Sequence, residues 1–243
     1  MADVSSKSNK RLLDPIERSS AVLFGLIMAL LLLPIWGWSQ TSSTTVTKPE
    51  PHSPFPGQAA TGTEPWEYSL SVNGYLPENE DGYASPTFTA DHKWLHLEAR
   101  YNYENFRTGS LWMGYNFSWG KTWQVAVTPM IGGVFGRTNG IAPGCEASLA
   151  WKKLVFSLDN EYVFDTNSKS GNFYYAWPQV TYQPLAWLRV GAVAEHTKVF
   201  ETKTDRQVGF LVGLNHKQYQ FTIYALDPGG IDANVQFEVG VTF

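Results

Sequence analysis

The sequence predicts an all-β fold, a transmembrane antiparallel β-barrel of about twelve strands behind an N-terminal targeting segment and a flexible linker. Three observations predict it. The last ten residues, Asn234 to Phe243, alternate without error: Val235, Phe237, Val239, Val241 and Phe243 are apolar, and the residues between them are polar or small. A period of two means a strand with one apolar and one wet face. The same period recurs along the chain from Trp66, and the connections between the segments alternate between tight and long.

The N-terminal elements come first. Lys7, Lys10, Arg11 and Arg18 precede an apolar run from Ala21 to Trp38, and Gly37-Trp38-Ser39 places small residues where a signal peptidase cuts before Gln40. Residues 1–39 therefore read as a secretory signal peptide, with an uncleaved anchor helix as the rival reading. Residues 40–65, rich in Thr, Ser, Pro and Gly, read as a linker that cannot bury a core. Residues 66–243 are left for the barrel.

Along the barrel the strands are read in turn. Trp66, Tyr68, Leu70 and Val72 oppose Glu67, Ser69, Ser71 and Asn73. A short second strand is expected at Thr87 to Ala90. The third sets Leu95, Leu97, Ala99, Tyr101 and Tyr103 against His96, Glu98, Arg100 and Asn102, and the fourth sets Leu111, Met113, Tyr115 and Phe117 against Trp112, Gly114 and Asn116. The fifth, from Trp123, is expected to meet a bulge or end at Pro129. The sixth is expected at Glu146 to Trp151. Five more alternating segments start at Leu154, Tyr174, Leu188, Gln207 and Tyr219, and the terminal strand makes twelve.

Tight connections are expected at Asp91–Lys93, Gly120–Lys121, Lys152–Lys153, Gln183–Leu185 and His216–Gln218. Longer ones are expected near 76–85, 104–109, 132–144, 165–171, 196–206 and 227–232. Short turns at one rim and longer loops at the other is how a membrane barrel is laid out. Gly132-Gly133 and Gly229-Gly230 read as turn chemistry, since no helix follows either pair to make a phosphate cradle.

Composition agrees. Charged residues are only 16% of the 243-residue chain and aromatics 15%. Trp and Tyr gather at headgroup level in membranes. Trp66, Trp94, Trp119, Trp123, Trp151, Tyr182, Trp187, Tyr219 and Phe243 are expected to form a girdle at the turn rim, although Trp94 and Trp187 have inward parity. Tyr103, Phe106, Phe135, Phe164, Phe173 and Phe200 are expected at the other rim. The outward sets carry no Asp, Glu, Lys or Arg; a Lys or Arg there would cost about 2–4 kcal/mol at mid-membrane. A net charge of −4 gives no footprint for nucleic acid. The single Cys145 rules out an intramolecular disulfide and a thiolate-rich metal site, and it reads as an inert apolar residue.

With the terminal Phe243, the Val241, Val239 and Phe237 behind it, the signal segment and the alternating turns in place, the chain resembles the Gram-negative outer-membrane β-barrel proteins. The resemblance spans Trp66 to Phe243. It implies an outer-membrane location with both barrel termini in the periplasm, contact with outer-membrane lipids and lipopolysaccharide, and an assembly signal in Phe237, Val239, Val241 and Phe243 read by the barrel-assembly machinery. It carries no motif that fixes an activity.

Inward parity assigns Glu67, His96, Glu98, Arg100, Trp112, Glu146, Asp159, Glu161, Arg189 and Glu238 to the lumen, with Glu195 beside them. Carboxylates outnumber the cationic side chains, which favours a small porin-like channel for polar or cationic solutes. The competing reading is an interior filled by interlocking charges and the aromatics Trp112, Tyr175, Trp177 and Tyr224, giving a non-conducting structural or adhesive barrel. A third is an outer-membrane lipid hydrolase. His96 is the histidine expected inside a strand, His92, His196 and His216 being expected in turns or loops, and no serine nucleophile motif accompanies it. The residues call for no catalytic centre, metal or cofactor. Outside the strands, Glu78, Glu80 and Asp81 make one loop acidic and Lys198, Lys203 and Arg206 make another basic, which reads as solvated surface.

Overall fold

The structure is a computed structural model that describes residues 65–77, 82–199, 205–230 and 233–243. The expected signal peptide and all of the linker but Pro65 lie outside the described residues, as do Glu78, Glu80, Asp81, Phe200 and Lys203.

The alternating segments form β1 (Glu67–Pro77), β2 (Tyr83–His92), β3 (Leu95–Tyr101), β4 (Thr108–Tyr115), β5 (Phe117–Trp119), β6 (Trp123–Gly136) and β7 (Gly140–Trp151). They continue as β8 (Leu154–Asp165), β9 (Phe173–Leu185), β10 (Leu188–Val199), β11 (Asp205–His216), β12 (Tyr219–Leu226) and β13 (Asn234–Thr242). Apart from β4 and β5, which do not pair with each other, chain neighbours pair antiparallel. β4 and β5 are two halves of one barrel strand, since both pair with β6, so the thirteen segments close a twelve-stranded barrel. The first and last strands make the seam, in register from Ser69↔Thr242 to Pro77↔Asn234. Tyr68 and Phe243 exchange both backbone hydrogen bonds at its end, at 3.0 and 2.9 Å. The C-terminal strand thus has a partner on each side, β1 and β12, which closes the ring at the seam.

The break between β4 and β5 has a local cause. Gly114 faces Met130 and Phe117 faces Val127, which sets Tyr115 against Pro129 and Asn116 against Thr128. Pro129 lacks an N–H for the ladder. The irregularity expected at Pro129 therefore falls on the neighbouring strand, and β6 runs straight through it, pairing Pro129 with Cys145. On its other side the strand keeps the β3 register, the Asn116 N–H donating to the Trp94 carbonyl at 2.7 Å.

Several strands are longer than the periodicity predicts. β2 spans ten residues. β6 and β7 extend until only Arg137 to Asn139 join them, so the expected long loop over 132–144 does not exist. The Gly132-Gly133 pair is strand, not turn. Gly132 lies under the Trp112 indole, where a Cβ would sit 2.4 Å from Trp112 Cδ2, while Gly133 faces outward with nothing within 4 Å. A second glycine does the same at the seam: a Cβ on Gly74 would meet the Phe237 ring at 2.1 Å. Each glycine makes room for a cross-strand aromatic lying flat on the backbone. His196 is likewise inside β10, opposite Ala176 and Arg206, rather than in a loop.

The sides of the strands follow the expected parity. Leu111, Met113, Val208 and Phe210 are about 60% exposed, a degree of apolar exposure that a water-facing surface does not carry at this density. Trp94, Trp119, Trp123, Trp187 and Phe243 are exposed at the turn rim, with Trp123 stacked on Trp151 at 5.1 Å and Trp66 on His92 at 5.1 Å. At the other rim Phe106, Phe135 and Phe164 are exposed as expected, but Phe173 and Tyr103 are not part of a girdle. Phe173 packs inward on the cluster of Trp112, Met130, Val134, Ala142 and Val163, and Tyr103 points into the lumen.

Two outcomes are expected. Unboiled barrel should migrate differently from boiled barrel on electrophoresis. Gly132→Leu should lower the temperature of that shift by displacing Trp112, whereas Gly133→Ala should leave it unchanged.

Candidate functional site in the barrel lumen

The strand pleat aims Asp91 of β2, His96, Glu98 and Arg100 of β3, Glu146 of β7, and Asp159 and Glu161 of β8 into the same part of the interior. Arg100 is its centre. Nε and Nη2 of Arg100 donate to the two oxygens of Glu98 at 2.8 and 2.9 Å, a bidentate pair, and Nη1 donates to Glu161 Oε2 at 2.8 Å. Glu146 Oε1 lies 3.7 Å from Nη2. The guanidinium also lies over the rings of Tyr103 and Trp112, at 4.4 and 4.6 Å from their centroids. Arg100, Glu98 and Glu161 are all buried.

His96 extends this network toward β2. Its Nδ1 lies 2.8 Å from Asp91 Oδ1 and its Nε2 3.4 Å from Glu98 Oε2. Asn116 Nδ2 donates to the same Asp91 oxygen at 2.7 Å, and Thr128 donates to Asn116. Both ring nitrogens thus face carboxylates, and no hydrogen bond joins His96 to a hydroxyl among the described residues. A nucleophile–base pair needs such a bond, so this geometry does not support a serine hydrolase. His96, Glu98 and Glu146 each offer a ligand atom within 4.8 Å of the others. Arg100 pairs with Glu98 and lies 3.7 Å from Glu146, so a positive charge already stands beside two of these three groups.

The connection after β3 folds inward. Asn102 anchors it, its side chain donating to the Ala84 carbonyl at 3.0 Å and accepting from the Arg107 N–H at 2.8 Å. Glu104 is buried and accepts from Trp112 Nε1 at 3.2 Å and from the Ser110 hydroxyl. This places Tyr103 edge-on against Tyr175 of β9, with centroids 5.8 Å apart. Tyr175 stacks on Trp177, and Trp177 meets Tyr224 of β12 edge-on at 5.5 Å. Because β3 and β9 lie on nearly opposite sides of the ring, these rings form a chain across the lumen.

On the loop side of that chain the interior is packed: Val134, Ala142 and Val163 belong to one apolar cluster and Val193, Leu211 and Leu226 to another, with Ser85, Glu104, Thr108 and Gln236 buried among the polar side chains. On the turn side lies a polar cavity of about 780 Å3. Of the residues expected to line the lumen, Glu67, His96, Glu98, Arg100, Glu146, Asp159, Arg189 and Glu238 border this cavity, while Trp112 and Glu161 are buried behind its wall. Glu238 accepts from the Tyr224 hydroxyl at 2.8 Å, and Arg189 donates to Thr222 at 2.9 Å. Asp159 has no ion-pair or hydrogen-bond partner among the described residues. Sequence reasoning missed Asp91, Tyr103 and Thr87 as lumen residues. Asp91 falls in an expected turn, Thr87 at the start of a strand read as only four residues, and Tyr103 has the outward parity of its strand.

The fold defines the class: a closed, porin-like antiparallel β-barrel of twelve strands. No protein-family model matches the chain, and no curated protein matches it. Among solved structures it is similar to the KdgM porin, at a TM-score of 0.51 and 12% identity over 72% of this chain and 98% of that one. The KdgM porin in complex with disordered oligogalacturonate gives 0.50 and 11%, over the same shares. The NanC porin gives 0.49 and 14%, over 72% and 98%. These likenesses are of fold.

Removing the central charge should be costly. Arg100→Met leaves Glu98 and Glu161 buried without their cation, a loss of about 3–5 kcal/mol for a broken buried pair. It should appear as a lower temperature of the electrophoretic shift, and adding Glu98→Gln and Glu161→Gln should recover part of it.

Proposed function

We propose that this protein is a narrow, cation-preferring channel of the Gram-negative outer membrane, with the tight turns and both barrel termini facing the periplasm. The single observation that carries the reading is the charge of the cavity wall. Glu67, Asp91, Glu98, Glu146, Asp159 and Glu238 border it against Arg100, Arg189 and Lys217 at the turn rim, with His96 held between Asp91 and Glu98, and the Arg100 charge is spent on Glu98 and Glu161. A charged lining in a low-dielectric barrel raises the local concentration of counter-ions and selects by sign. The oligogalacturonate named with the KdgM porin is a polyanion, and this wall would repel one. On this reading the outward apolar belt meets outer-membrane lipid, the loops meet lipopolysaccharide, and the terminal Phe237, Val239, Val241 and Phe243 are read by the barrel-assembly machinery during insertion.

A second reading, a non-conducting structural or adhesive barrel, is favoured by one observation, the ring chain of Tyr103, Tyr175, Trp177 and Tyr224. It separates the polar cavity from the apolar clusters on the loop side.

Planar-bilayer recording decides between them. The channel reading expects a steady current whose reversal potential in a salt gradient reports cation preference. Glu146→Gln with Asp159→Asn should reduce that preference by severalfold, and Tyr103→Ala should raise the conductance. Silence from both the wild type and Tyr103→Ala would leave the structural barrel.

A further inference from the structure

We propose that the turn-side cavity is a binding site for an organic ammonium ion, with aromatic rings as its floor and carboxylates, Asp159 foremost, as its walls. This deepens the channel reading by naming a ligand class, and it rests on the same acidic lumen.

The size is that of a small-molecule site. A cavity of about 780 Å3 is far larger than a bare metal ion needs and within the usual range for organic ligands, roughly 300–1,000 Å3. Its floor is made by Tyr103, Tyr175, Trp177 and Tyr224, all of which border the cavity. Ring faces attract cations that shed water readily, as alkylated ammonium groups do. The protein already uses one such face inside, with Arg100 lying 4.4 Å from the Tyr103 centroid. Negative charge stands beside the floor. Asp159 is the register partner of both Trp177 on β9 and Glu146 on β7, so an unpaired carboxylate and a second one adjoin the floor's indole. Glu238 stands beside Tyr224.

An independent sign comes from the opposite wall. Thr87 borders the cavity and is nine-tenths buried, yet its Oγ1 has no hydrogen-bond partner. A buried hydroxyl without a partner is costly, and here it offers an acceptor to a ligand N–H or O–H. A neutral saccharide could stack on the same rings, but it would leave the charge of Asp159 uncompensated. The cavity reaches Glu67, Lys217, Gln218 and Thr242 at the turn rim, so the ligand enters from that side.

The test is titration calorimetry on the detergent-solubilised barrel, with choline as the probe and its uncharged isostere 3,3-dimethyl-1-butanol as the control. The expected result is saturable choline binding at least tenfold tighter than the alcohol. Asp159→Asn and, independently, Tyr175→Leu should each weaken choline about tenfold, a change of about 1.4 kcal/mol. Retention of the heat-dependent mobility shift shows that each variant is folded, and Glu238→Gln replaces either one that is not. No saturable heat from choline at on the order of 100 mM, an alcohol that binds as tightly, or calcium that binds as tightly as choline, would overturn the proposal. Binding is read without conduction, so the two readings fail separately. Choline binding with no bilayer current removes the channel and leaves the site, and current without choline binding does the reverse.

Discussion

Backbone hydrogen bonding is the constraint on which the rest depends. In hydrocarbon no water replaces a missing partner, and each unpaired N–H or C=O costs several kcal/mol. A strand can cross only if both of its edges are paired, and that requires β1 to find β13 across the whole length of the chain. Once the ring closes, every side chain faces either lipid or lumen. The irregularities are then placed where closure can absorb them. Pro129 cannot donate to Tyr115 opposite it, and the ladder to β6 yields on that adjoining strand, while on the β3 side the Asn116 N–H keeps its bond to the Trp94 carbonyl.

Closure also decides what the interior must contain. A ring of twelve strands encloses more volume than its small polar residues fill, and the protein fills it unevenly. The loop-side half is packed with apolar side chains around Trp112 and Trp177. The turn-side half stays polar and hollow. Between them Arg100 binds three elements at once: Glu98 on its own strand, Glu161 on β8 and the Tyr103 ring on the inward-folded connection. A guanidinium suits that position because its planar fork serves two carboxylates while its faces stack on rings. One residue thereby holds the barrel's shape and cancels charge on the wall nearest it, leaving Asp159 and Glu238 to set the sign of the cavity.

Much of this was legible in the residues because a strand's period of two is unambiguous when one side meets lipid. Leu111, Met113 and Phe210 are outward, and Glu98, Arg100 and Asp159 inward, as the alternation requires. Strand ends were less legible where glycine mimics a turn. Gly132 reads as a loop residue until Trp112 is seen lying on it. Tyr103 and Phe173 read as interfacial aromatics: alternation cannot report that the connection carrying Tyr103 folds inward, and Phe173 is the first residue of β9, one place before the expected start and on the side of Tyr175 and Trp177.

Alone, then, the sequence determined what is local and periodic: the strands, their two sides, the turn-rim aromatics, and an interior richer in carboxylates than in guanidinium. Only tertiary structure decided what depends on residues far apart in the chain. Arg100 meets Glu161 across sixty-one positions, and Tyr103 meets Tyr175 across the ring. Those contacts divide a uniform polar lumen into a packed half and a hollow one. The physical reason is that pleating fixes direction within a strand, whereas depth and partnership inside a barrel are set by register and closure, which no single strand encodes.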